Sequence, residues 1–181
     1  MKGDVMKNIK KLVFISLLVS IALIIYIVEA QLPVLLPGIP GIKLGLSNSI
    51  SLFALLILGS REALLIMFLR TILGSFLGGS MSSFIYSIAG GLLSNIVMIF
   101  LYNKFRDKLS LWSISMVGAL FHNIGQLLVA AIIIQDSRIY IYLPVLMLSG
   151  VITGYFIGIL TNILYNHSSK VSLLKDLKKL K

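Results

Sequence analysis

A chain of 181 residues that is 58% hydrophobic, 12% charged and of mean hydropathy +1.03 lies outside the composition of soluble enzymes and inside the membrane class. Its formal net charge of +10 points to anionic lipid headgroups rather than nucleic acid, because the basic residues cluster in two tails and one short loop beside apolar runs. The lack of cysteine excludes disulfides, thiolate zinc sites, iron–sulfur clusters and a cysteine nucleophile.

The length allows about six spans with short connections. Residues 1–11 carry Lys2, Lys7, Lys10 and Lys11 against Asp4 and read as a basic cytoplasmic flank. The apolar run from Leu12 to Val28 is span-length and has no signal-peptide cleavage pattern, so the first transmembrane helix is expected over Leu12–Ala30. Its Ser16 and Ser20 lie four residues apart and offer a small-residue face for close packing against another helix or a separate subunit.

Gln31 to Leu46 contains Pro33, Pro37 and Pro40 together with Gly38, Gly41 and Gly45, which rules out one continuous helix. It is expected to fold back over the protein as a re-entrant or lid-like connection. It would deliver Ser47, Asn48, Ser49 and Ser51 onto the end of a short second helix, Ser47–Leu58. Irregular backbone at membrane depth is tolerated only where protein buries it or where it lines a cavity. A turn over Gly59–Glu62 precedes a third helix from Ala63 to Leu77. Gly78, Gly79, Ser80, Ser82 and Ser83 mark the next turn, followed by helices over Phe84–Tyr102, Leu111–Ile134 and Ile139–Tyr165. Asn103–Ser110 is a basic connection with Lys104, Arg106 and Lys108, and residues 166–181 form a basic amphipathic tail.

The expected fold is therefore an all-α integral membrane protein with six transmembrane helices in a membrane domain over residues 12–165. Most basic residues fall on one side of such a bundle, which places both termini in the cytoplasm of a plasma-membrane protein. Lys43 and Arg138 fall on the other side.

Polar groups inside the spans are few enough to weigh singly. Arg70 lies midway along the third helix, where a cation costs about 3 kcal/mol on insertion scales and faces a partner or a water-filled cavity. Gly74 and Gly78 follow on the same face and leave space beside it for a backbone or a ligand. The alternative is a structural ion pair with Glu29 or Glu62. The fifth helix carries FHNIGQ, in which Gly118, His122 and Gln126 share one face. An imidazole and a carboxamide one turn apart suit recognition of a polar ligand, or equally an interhelical hydrogen bond. Ser87, Gly91 and Asn95, and the series Gly150, Gly154 and Gly158, read as packing seams.

What is missing also limits the chemistry. There is no phosphate-binding G-x-x-x-x-G-K-[ST] loop, Asp4, Asp107, Asp136 and Asp176 are scattered, and the two histidines, His122 and His167, are far apart in sequence. No metal site, cofactor or enzymatic activity is expected.

The stretch GIKLGLSNSISLFALLILGSREALLIMFLRTILG, with SIAGGLLS and FHNIGQLLVA, resembles the heptaprenyl diphosphate synthase component I family, also called the Gx transporter family. That family is similar in size and topology to the substrate-binding S components of energy-coupling-factor transporters. The resemblance implies an S-component-like bundle with the Gly/Pro-rich first connection over the ligand. It also implies a first helix, here with Ser16 and Ser20 where alanines are typical, that docks on a membrane coupling subunit driven by separate ATPases. It highlights Lys43, Leu44, Gly45, Asn48, Arg61, Glu62, Arg70, His122, Asn123, Gly125 and Gln126.

The resulting expectation is a membrane component that binds a small anionic or amide-bearing ligand. Arg70 and Lys43 would balance charge, and Asn48, His122, Asn123 and Gln126 would supply hydrogen bonds. The other expectation is a non-catalytic membrane subunit that holds an isoprenoid- or quinone-pathway enzyme, or a redox partner, at the bilayer. Prenyl transfer itself would need paired aspartate clusters, which the sequence lacks.

Overall fold

The computed structural model describes residues 2–31, 45–78 and 81–168. Six α-helices follow one another: α1 (Lys2–Gln31), α2 (Asn48–Ile57), α3 (Ser60–Gly78), α4 (Met81–Phe105), α5 (Leu111–Ile134) and α6 (Leu143–Ser168), the last entered through a 3₁₀ turn over Ser137–Tyr142. No strand occurs among the described residues. Lys43, the Pro-rich connection up to Leu44, and the tail beyond Ser168 lie outside the described residues.

Among the described residues, four stretches are long and apolar enough to cross a membrane: Asn8–Glu29, Met81–Phe105, Leu111–Ile134 and Ser137–His167. The expectation of six comparable spans is thus met by four. Helix α3 carries Arg61, Glu62 and Arg70 within its 19 residues, and α2 has only 10 residues, about 15 Å of helix. Every residue of α2 is buried, as expected of NSISLFALLI, which has no polar stripe beyond its first turn. It packs against α1, α3, α4, α5 and α6, so this half-length helix is the axis of the bundle.

Four helix starts differ by three residues or more from the sequence expectation: α1 begins at Lys2 rather than Leu12, α3 at Ser60 rather than Ala63, α4 at Met81 rather than Phe84 and α6 at Leu143 rather than Ile139. Lysine is a good helix former, and the basic stretch expected as a flank is helical from Lys2. The break before α3 needs only Leu58 and Gly59, because Gly59 takes φ +119°, a conformation without steric cost for glycine. Arg61 and Glu62 therefore sit in the first turn of α3. Glu62 accepts a 2.6 Å hydrogen bond from Lys11 Nζ and so joins α1 to α3.

Helices α4, α5 and α6 approach closely at small residues. A Cβ added to Gly125 would lie 2.9 Å from the Ala89 carbonyl of α4, and one added to Gly154 would lie 2.6 Å from Met116 Cα of α5. The packing-seam reading of Gly150, Gly154 and Gly158 therefore holds: each faces α5 backbone or a polar α5 side chain. The outer surfaces are apolar, with Phe76, Ile132 and Ile141 all exposed, which suits hydrocarbon contact. Helix α5 is capped by Ser110, whose hydroxyl accepts from Ser113 N–H, and closes on Gln135 in the left-handed region.

Candidate functional site

The polar groups converge where α2 begins. Gly45 has φ +78°, and the tight turn it permits brings Asn48 N–H to 2.9 Å from the Gly45 carbonyl. The Gly45 N–H donates to Glu29 Oε1 at the end of α1, at 2.5 Å. A short turn thus fixes α1 against the entry to α2. It also aims the first side chains of α2 at the middle of α3.

Arg70, only 1% exposed, fills that space. Its Nη1 donates to Ser47 Oγ and its Nη2 to Asn48 Oδ1, the latter at 2.6 Å. Glu29, buried as well, attracts it electrostatically. Of the two carboxylates considered as counter-charges, Glu62 is engaged by Lys11, and Glu29 is the one beside Arg70. A cation and an anion taken out of water together keep the interior neutral, and the hydrogen bonds to Ser47 and Asn48 offset part of the desolvation. Arg70 Nε has no hydrogen-bond partner among the described residues.

The network continues into α5. Asn48 is oriented by Arg70: its oxygen accepts from the guanidinium, so its Nδ2 faces His122 Nδ1, at 3.0 Å, as a donor. A neutral imidazole that accepts at Nδ1 carries its proton on Nε2. The Gln126 amide lies 2.7 Å from that Nε2. Amide oxygen and nitrogen have nearly the same shape, so hydrogen bonding requires the Gln126 oxygen to face the ring N–H. Arg70, Asn48, His122 and Gln126 thus form one continuous hydrogen-bonded chain, and the Gly90 backbone is a further hydrogen-bond partner of the His122 ring. His122 is held between Gly45 and Gly90, each of which would place a Cβ within 2.9 Å of a ring nitrogen.

Four residues expected at the site, Asn48, Arg70, His122 and Gln126, come together, and Ser47 and Glu29 join them. Asn123 is placed elsewhere: its Nδ2 donates to the Leu146 carbonyl of α6 at 2.6 Å, and Gly150 packs against it. It neighbours His122 in sequence, but one helical step of about 100° turns it to a different face. The space expected beside Arg70 at Gly74 is taken by the Tyr26 ring of α1, whose hydroxyl lies 3.4 Å from Ser87 Oγ. Nothing local in the sequence indicates that contact. Ser16 and Ser20 are exposed on α1 and return their hydroxyls to the carbonyls of Leu12 and Ser16, leaving a shallow small-residue face turned outward.

Chemically the cluster offers a guanidinium, a carboxylate, two carboxamides, an imidazole and a hydroxyl, which is an inventory for recognition. Among the described residues no group of three or more His, Asp or Glu side chains could hold a metal ion. The family model described as heptaprenyl diphosphate synthase component I matches residues 18–164, a span that includes all of these groups and well over half of the chain. No curated protein and no solved structure matches. The chain belongs to the heptaprenyl diphosphate synthase component I family.

Proposed function

We propose that this membrane protein is the ligand-binding component of a multi-subunit system of the S-component type, with its site at the junction of α1, α2, α3 and α5. The observation that carries the reading is the fully buried Arg70, bonded not to another helix's carbonyls but to the first two side chains at the entry to α2. Buried cations within membrane-embedded bundles mark ligand and ion pathways, and half-length helices are a recurrent way to build such sites. Ser47 and Asn48 adjoin the Pro- and Gly-rich connection in sequence, and displacement of these two side chains would open the guanidinium and the Asn48 amide together.

Glu29 sharpens the ligand class. Arg70 already has an opposite charge beside it, so the site suits an amide-bearing or zwitterionic solute, and an anion only with Lys43 contributing. Asn48, His122 and Gln126 then supply directional hydrogen bonds, and Asn123 ties α5 to α6. Energy would come from partner subunits, docked at the Ser16 and Ser20 face, since the sequence has no nucleotide-binding loop. The lysines and arginines at the end where α1 and α3 begin support cytoplasmic termini in the plasma membrane. Because the chain has no cysteine, labelling of single introduced cysteines tests that orientation without background.

The word "component" in the family's description favours a second reading, a non-catalytic membrane subunit of a prenyl diphosphate synthase. Mass spectrometry of the purified protein separates the two. The first reading predicts a retained small molecule that is lost from folded Arg70→Met protein. The second predicts a co-purifying soluble enzyme and the same small-molecule content in both proteins.

A further inference from the structure

At the end of the bundle where α3 begins and α4 ends, a groove of about 630 Å³ opens between the two helices. Leu64, Ile96 and Phe100 give it an apolar floor, and Arg61, Asn103 and Lys104 stand at its mouth. Ile96 and Phe100 are each more than half exposed, so the floor continues onto the outer, hydrocarbon-facing surface of α4. The layout is that of one lipid molecule: an apolar wall below a cationic rim.

The charges at the rim are uncommitted. Arg61 is exposed and has no carboxylate partner among the described residues, and its neighbour Glu62 is neutralised by Lys11 at 2.6 Å. Lys104 Nζ rests over the rings of Phe100 and Phe105, 5.6 and 5.7 Å from their centroids. That contact holds the ammonium in place without cancelling its charge. The first turn of α3, which carries Arg61, also presents the positive end of its helix dipole to the groove. We propose that this groove is a specific site for an anionic phospholipid, with the phosphate between Arg61 and Lys104, the glycerol region near Asn103, and an acyl chain along Ile96 and Phe100. Charge complementarity selects an anion, and the apolar floor selects a lipid over a soluble phosphate. The site is separate from the Arg70 cluster and does not depend on its function.

The test uses the full chain in detergent micelles, with thermal unfolding followed during titration with phosphatidylglycerol, phosphatidylcholine or inorganic phosphate. The expected result is stabilisation of the wild-type protein by phosphatidylglycerol alone. Apparent affinity should fall about five-fold in Arg61→Gln or Lys104→Gln and about thirty-fold in the double variant. Arg138→Gln, at the opposite end of the bundle, should keep the wild-type response. Equal stabilisation by phosphatidylcholine, a full response in the double variant, or the same shift with inorganic phosphate each overturns the proposal. Should the double variant not fold, the two single variants decide it by the same criterion, as does native mass spectrometry of the lipid retained by each.

Discussion

Helix α5 has two faces built from similar residues. Toward α2 and α4 it presents Gly118, His122 and Gln126, and toward α6 it presents Ala119, Asn123 and the backbone of Met116 and Trp112. On the first face, His122 and Gln126 belong to a chain of hydrogen bonds that runs through Asn48 to a buried cation, beside close backbone contacts with α4 at Gly90 and Gly125. On the second, backbones meet across Gly154 and Gly158, and the single polar side chain returns to a helical carbonyl of α6. Small and polar residues four apart thus encode both an adjustable polar junction and a rigid seam. What sets the polar junction apart is the start of α2 opposite it, which supplies side-chain donors and acceptors, whereas the seam meets only a continuous helix.

The most forceful way to break the polar face is Arg70→Met. It leaves the buried Glu29 carboxylate without its cation, and removal of one member of a buried pair costs about 3–5 kcal/mol. The double variant Arg70→Met, Glu29→Gln should be more stable than Arg70→Met alone, because both charges are then gone. Denaturation of the four proteins in detergent closes this cycle. Strict additivity of the two single effects would show that Glu29 and Arg70 do not sense each other.

The seam is tested by Gly154→Ala and Gly158→Ala. Each methyl group would meet α5 backbone, at 2.6 Å from Met116 Cα in the case of Gly154, so a side chain cannot simply turn away. Overpacking of this kind costs about 1–3 kcal/mol, read as a lowered unfolding midpoint. Retention of any co-purifying small molecule should be unaffected by these variants while Arg70→Met abolishes it. Loss of the molecule in the seam variants would join the two faces into one functional unit.

Much of this contrast was legible in the sequence, and the remainder has identifiable causes. Leu111–Ile134 was read with its observed bounds because its apolar run is long and is closed by polar residues at both ends. Arg70, Asn48, His122 and Gln126 were found because a polar group in an apolar span is costly and needs a reason. The expectation of six spans parts from the structure at α2 and α3, since the sequence pattern alone does not tell a half-helix at the centre of a bundle from a spanning helix. The choice between Glu29 and Glu62 depended on which helices pack together, which no local pattern reports. The filling of Gly74 by Tyr26 was hidden for the same reason. Asn123 could have been separated from His122 by helical geometry alone, and the FHNIGQ motif obscured that by placing them side by side.

The gentlest probe is the proton on His122. Asn48, as a donor to Nδ1, favours the proton on Nε2 facing Gln126, in competition with the Gly90 backbone, which also hydrogen-bonds the ring. Gln126→Leu removes the acceptor of that N–H, at a cost of about 1 kcal/mol, and leaves Asn48 to dictate the same tautomer. Asn48→Leu removes the dictating donor, so the ring becomes free to place its proton on either nitrogen. Ring-¹⁵N histidine spectra can read this directly, since the chain has two histidines and His167 is exposed near the end of α6. The His122 pattern of an Nε2–H tautomer should persist in Gln126→Leu and change in Asn48→Leu. The opposite outcome would mean that Gln126, and not Asn48, sets the ring.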